Sequence, residues 1–84
     1  MNDTLLLSNP TVMTDPSFLA NLGSRIKKIR MEKNVSQFQL ASLCDFEKAS
    51  MSRIESGKTN TTILTLQKIS KALNVHVSEL LKES

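Results

Sequence analysis

Residues 36–58, SQFQLASLCDFEKASMSRIESGK, constrain the fold more than any other stretch of this chain. They read as two short amphipathic helices joined by a tight corner. The first spans about residues 37–44 and buries Leu40, Ala41 and Leu43, with Ser36 placed as an N-cap whose hydroxyl accepts from the opening amides. The second spans about residues 47–56 and buries Met51 and Ile54, and Gly57 suits the left-handed position that closes a helix. Residues 45–47 are all that is left for the corner. Helices with so short a link cross at roughly 90–120°, the geometry of a helix-turn-helix. The outward face of the second helix then carries Lys48, Ala49, Ser50, Ser52 and Arg53. It is polar, has no large apolar group, and fits a DNA major groove better than another protein's core.

An 84-residue chain has room for one domain and one small core. With no Trp, no Tyr and three Phe, that core has to be aliphatic. The single cysteine, Cys44, excludes an internal disulfide and a Cys-rich metal site, and its place on the inner side of a helix makes it a small buried apolar residue. The apolar run at residues 5–7 is too short for a secretion signal and has no basic lead, and no stretch approaches the ~20 apolar residues of a membrane span. These features point to the cytoplasm, with no membrane association.

The net charge of +3 is too modest to argue for nucleic acid, but its placement says more. Residues 25–33 hold Arg25, Lys27, Lys28, Arg30 and Lys33 against Glu32 alone. Taken by itself such a run is a solvated helix face. Beside a helix-turn-helix it is a source of phosphate-neutralising charge.

Residues 1–14 lack a helical period and read as a flexible N-terminal arm preceding a domain of residues 15–84. Leu5, Leu6 and Leu7 either belong to a plain tail or pack on a partner subunit or back onto the domain. Asp15-Pro16 is a helix start, and residues 16–33 place Phe18, Leu19, Leu22, Ile26 and Ile29 on one stripe with Arg25, Lys28 and Glu32 opposite. Gly23 within it marks a close helix–helix approach, and Asn34 ends it in the left-handed conformation. A polar loop ending in a threonine cap leads to a helix at residues 63–73 that buries Leu66, Ile69, Ala72 and Leu73. After Asn74 and the connection Val75-His76-Val77, Ser78 and Glu79 begin a last helix ending near Lys82. Five helices and no strand is the expectation.

Leu22-Gly23-Ser24-Arg25-Ile26 with Arg30, Ser36-Gln37 with Leu40-Ala41, and Arg53-Ile54-Glu55-Ser56-Gly57-Lys58 fall in one order and spacing. They are followed by Leu66, Ile69, Ala72-Leu73-Asn74-Val75 and Glu79-Leu80-Leu81. The series, spanning about residues 18–81, closely resembles the Cro/CI (xenobiotic-response-element type) helix-turn-helix family. The resemblance implies an all-α, compact five-helix bundle of the lambda-repressor-like type that binds double-stranded DNA. It implies that Gln37 bonds a DNA phosphate and braces the recognition helix, and that Lys48, Ala49, Ser52 and Arg53 face base edges. By the same likeness Ser50, Lys58 and Thr59 lie near the sugar-phosphate backbone, and Arg30 and Glu55 form a structural ion pair.

Side-chain chemistry agrees. Arg53 is long enough to fork onto guanine O6 and N7, Lys48 can reach the same edge or a phosphate, and Ala49 can touch a thymine methyl. The sequence departs from the family pattern at three places. Asp45 stands where glycine is usual, and aspartate tolerates a left-handed backbone. Asn60-Thr61 replaces a frequent proline. Glu47 opens the recognition helix where Ser or Thr is common, so its carboxylate either weakens binding near phosphates or selects a cytosine N4 donor.

Three functions compete. A sequence-specific transcriptional regulator would need two copies on half-sites about 34 Å apart, because one helix reads few base pairs. Val77, Leu80 and Leu81, with the arm, are the expected homodimer surface, and three or four neutralised phosphates per subunit give a log–log salt slope of about −5 to −7. An antitoxin-like or adaptor module would instead use the same fold to hold a protein partner, with the arm folding on binding. An enzyme is the poorest fit: His76 is the only histidine and has no acid–base partners beside it. No cofactor and no metal are expected.

Overall fold

Four reversals of the backbone, each built on a residue with positive φ, set the path of the chain. Asn34 (φ 58°), Asp45 (φ 61°) and Asn74 (φ 57°) end the first, second and fourth helices in the left-handed region, as Gly57 (φ 72°) does for the third. The computed structural model describes residues 16–82. In that span lie α1 (Pro16–Glu32), α2 (Gln37–Leu43), α3 (Lys48–Glu55), α4 (Ile63–Leu73) and α5 (Val77–Leu80), with no strand among the described residues. The expected Asp15 cap and the arm at residues 1–14 lie outside them.

α1 buries Leu19, Leu22, Ile26 and Ile29 at helical spacing, with Phe18 partly buried beside them. At Gly23 the helix passes directly under the end of α3, where an added Cβ would collide with the carbonyl oxygens of Ile54 and Glu55. Gly57 makes the same crossing from the other side, because a Cβ there would lie 2.7 Å from the Cα of Ala20.

α2 is held at its start by a reciprocal capping box. Ser36 Oγ accepts from the Gln39 amide at 3.0 Å, and Gln39 Oε1 accepts from the Ser36 amide at 2.7 Å. Its buried side is Leu40 and Ala41, but Leu43 is 63% exposed, contrary to expectation. The helix ends at Leu43, and the next inward position, four residues after Leu40, belongs to Cys44, which is 3% exposed. Burial pushes the Cys44 thiol pKa up, partly opposed by the charge of Lys68. The corner closes with the Phe46 amide donating to the Ala41 carbonyl at 2.8 Å, and the Lys68 ammonium sits 5.4 Å from the centre of the Phe46 ring.

α3 begins one residue later than expected, at Lys48, with Glu47 as its N-cap. Met51, Ile54 and Glu55 are its buried residues. α4 has the expected bounds, its Thr62 Oγ1 accepting from the Thr65 amide at 3.1 Å. Leu66, Ile69 and Leu73 are buried, Ala72 partly so, and the buried Ser70 hydroxyl is satisfied by the Gln67 carbonyl at 2.9 Å.

The last helix needs two corrections. Its cap is His76, not Ser78, since the left-handed turn at Asn74 lets the chain re-enter helix at Val77. Leu80, expected on a dimer surface, is 0% exposed, because a helix this short, packed on α1 and α4, delivers it into the core. Arg25 is likewise not on the free side of α1. Its Nε donates to the Glu79 carbonyl at 2.9 Å and its Nη2 to Glu79 Oε1 at 3.3 Å, tying α1 to α5. The fully buried Ile26, Leu40, Met51, Leu66, Ile69, Leu73 and Leu80 come from all five helices and form one aliphatic core.

Candidate nucleic-acid interface

α3 divides cleanly between an anchored and an open side. Met51, Ile54 and Glu55 face the bundle, while Lys48, Ala49, Ser52 and Arg53 are exposed and Ser50 is half-buried. Eight residues make a helix of about 12 Å, short enough to enter a groove broadside.

The anchor is polar as well as apolar. Arg30 grips Glu55 with two bonds, Nε to Oε2 at 2.6 Å and Nη2 to Oε1 at 3.0 Å, in a pair whose side chains are almost fully buried. Arg30 Nη1 also donates to the Val35 carbonyl at 2.9 Å, and Gln37 Nε2 donates to Glu55 Oε1 at 3.1 Å. One carboxylate at the end of α3 is thereby joined to α1 and to the first residue of α2, and both charges are compensated in the interior. A primary amide carries two N–H groups. Gln37, half-buried, spends one on Glu55 and keeps the other for a further acceptor.

Ser50, Arg53 and Thr59, which the sequence places along one edge of the helix and loop, line one shallow hollow with Phe46, Asn60 and Thr65. Asn60 and Thr65 were not foreseen there. The legible signal is the Thr62 cap, which fixes the first turn of α4 next to α3. Within the hollow, Arg53 Nη2 donates to Ser50 Oγ at 3.4 Å. The Ser50 hydroxyl thus touches the guanidinium presented one turn further along the same helix. Lys58 is exposed just beyond, its amide donating to the Arg53 carbonyl at 2.9 Å.

The basic run on α1 is smaller than its composition implies. Arg25 and Arg30 are committed to Glu79 and Glu55, so the exposed charges are Lys27, Lys28 and Lys33 with Glu32. Among the described residues no group of His, Cys, Asp or Glu could hold a metal ion, and no helix is long and apolar enough to cross a membrane.

A family described as helix-turn-helix matches residues 26–80. Control protein C.MunI of a Mycoplasma species is 39% identical over 62 residues, which cover 73% of this chain and 84% of that protein. Control protein C.BamHI of Bacillus amyloliquefaciens is 42% identical over 60 residues, covering 70% of this chain and 74% of the relative. Among solved structures, SinR, the master regulator for biofilm formation, in complex with DNA superposes with a TM-score of 0.67 at 40% identity, over 73% of this chain and 98% of that one.

Proposed function

The chain belongs to the helix-turn-helix family of the Cro/CI type, and on that premise we propose that α3 is the element that enters the major groove of duplex DNA, in each half of a homodimer. The protein is a sequence-specific DNA-binding transcriptional regulator. The observation that carries the assignment is the two-sided α3: four exposed polar or small residues on one side, and on the other a buried carboxylate held by Arg30 and Gln37.

In this reading Arg53 forks onto guanine O6 and N7, Lys48 donates to a neighbouring base edge, Ala49 meets a thymine methyl and Ser52 fits alongside. Gln37 uses its second N–H on a phosphate at the start of α2, where free helix amides already favour an anion. Ser50, Lys58 and Thr59 follow the sugar-phosphate backbone beside α3, and the Ser50 hydroxyl also accepts from Arg53 Nη2. With Leu80 in the core, the subunit contact falls to the exposed Leu81 and the partly buried Val77. A regulator of this kind works beside the chromosome, and we place it in the bacterial cytoplasm.

Selection of bound sites from a random duplex pool tests the reading. Recovery of a palindrome with half-sites about one helical turn apart supports it. Recovery of no consensus, or of a single half-site, contradicts it.

A further inference from the structure

Glu47 is a charged side chain that the fold does not use. It is the N-cap of α3 with extended backbone angles (φ −75°, ψ 150°), and its carbonyl accepts from the Ser50 and Met51 amides at 3.0 and 3.2 Å. Its side chain makes no capping bond, unlike Ser36 and Thr62 at the starts of α2 and α4. It is exposed and joins none of the ion pairs among the described residues. A shorter Asp, Ser or Thr would curl back onto the helix amides. The extra methylene of glutamate carries the carboxylate outward, at the end of the helix that carries Lys48.

A bare carboxylate at the leading end of a helix bound for DNA is repelled by phosphates on both walls of the groove. Major-groove base edges offer it only two kinds of partner, the N4 amine of cytosine and the N6 amine of adenine. Guanine O6 and thymine O4 would meet it as like against like. We propose, resting on the assignment of α3 to the groove, that Glu47 is a specificity-determining residue of this protein. It accepts from a base amine, cytosine N4 foremost, at the base step beside the one Lys48 reaches, and rejects duplexes that present a carbonyl there. Discrimination by a charge left unpaired on the wrong sequence complements the attraction supplied by Arg53.

The test compares wild type with Glu47→Gln and Glu47→Ser on the duplex selected from a random pool and on its single-base-pair variants. Equal melting temperatures, or a higher one for the serine variant, establish that both variants fold. The wild type is expected to disfavour the carbonyl-presenting base at one position by about 5- to 150-fold. Glu47→Gln should shift that position toward adenine and Glu47→Ser should flatten it, with preferences elsewhere unchanged. If both variants bind every duplex more tightly by one common factor, the carboxylate only repels phosphates and the proposal is overturned. A wild type that selects no consensus at all would instead refute the assignment of α3, which keeps the two failures apart.

Discussion

Gln37 and Glu55 share a hydrogen bond, Nε2 to Oε1 at 3.1 Å, that joins the first residue of α2 to the last residue of α3. The same carboxylate is held by Arg30, so the end of the recognition helix is fixed by partners on two other helices. Replacing Gln37 by Ala removes one bond to Glu55 and the N–H left over for a phosphate. Affinity should fall by about 1 kcal/mol for every duplex alike. Titration of the variant against the selected site and a scrambled duplex checks this. A loss confined to the selected site would show that Gln37 reads sequence.

Glu55→Gln leaves the Arg30 guanidinium buried beside a neutral amide. Removing one member of a buried pair costs about 3–5 kcal/mol, a large part of what a domain this small has. Chemical denaturation should show a lower midpoint at unchanged slope. An unchanged midpoint would mean that the pair contributes nothing to the anchoring of α3.

Gly23→Ala sets two effects against each other. Alanine improves helix propensity by about 1 kcal/mol, but its methyl group would strike the Ile54 and Glu55 carbonyls, both backbone atoms that cannot step aside. Steric conflict should win, and the melting temperature should fall. A rise would place the α1–α3 crossing farther apart than it stands here.

Acid should loosen α5. The Glu79 carboxyl is held below its ordinary pKa by a hydrogen bond and charge from Lys82, with Arg25 adding to both. A depressed carboxyl stabilises the fold above its unfolded-state pKa, and that stability is lost as pH falls through the folded value. The expected loss therefore begins in the usual carboxylate range, near pH 4.5, and completes below it. Glu79→Gln should show a shallower acid dependence of melting than the wild type, and identical acid limbs would remove Glu79 from the account.

The parts of this fold that could be read in the sequence are those governed by neighbours along the chain. The stripe on α1, the bounds of α4 and the reversals at Asn34, Asp45, Gly57 and Asn74 each follow from helical periodicity or from a residue that tolerates positive φ. Three misreadings share another cause. Leu43, expected in the core, lies outside it because burial at the end of a helix depends on where the last turn stops, while Cys44 is buried as expected. Leu80 lies in a helix of four residues, too short to show a period. Arg25 finds its partner 54 residues away, and no local pattern reports such a contact. The open side of α3 was legible because its anchored side is apolar and periodic. The support of Arg53 by Ser50, and the placing of Asn60 and Thr65 beside them, depend on how α4 docks.

The central claim is that the exposed side of α3 reads base edges, and Arg53 tests it most directly. Binding constants of wild type and Arg53→Ala should be measured on the selected duplex and on its variants at each base pair. The account predicts a loss of about 1–3 kcal/mol on the selected duplex, with discrimination vanishing at one base position and kept at the others. An equal loss on every duplex, with every preference intact, would place Arg53 on the phosphates and contradict it.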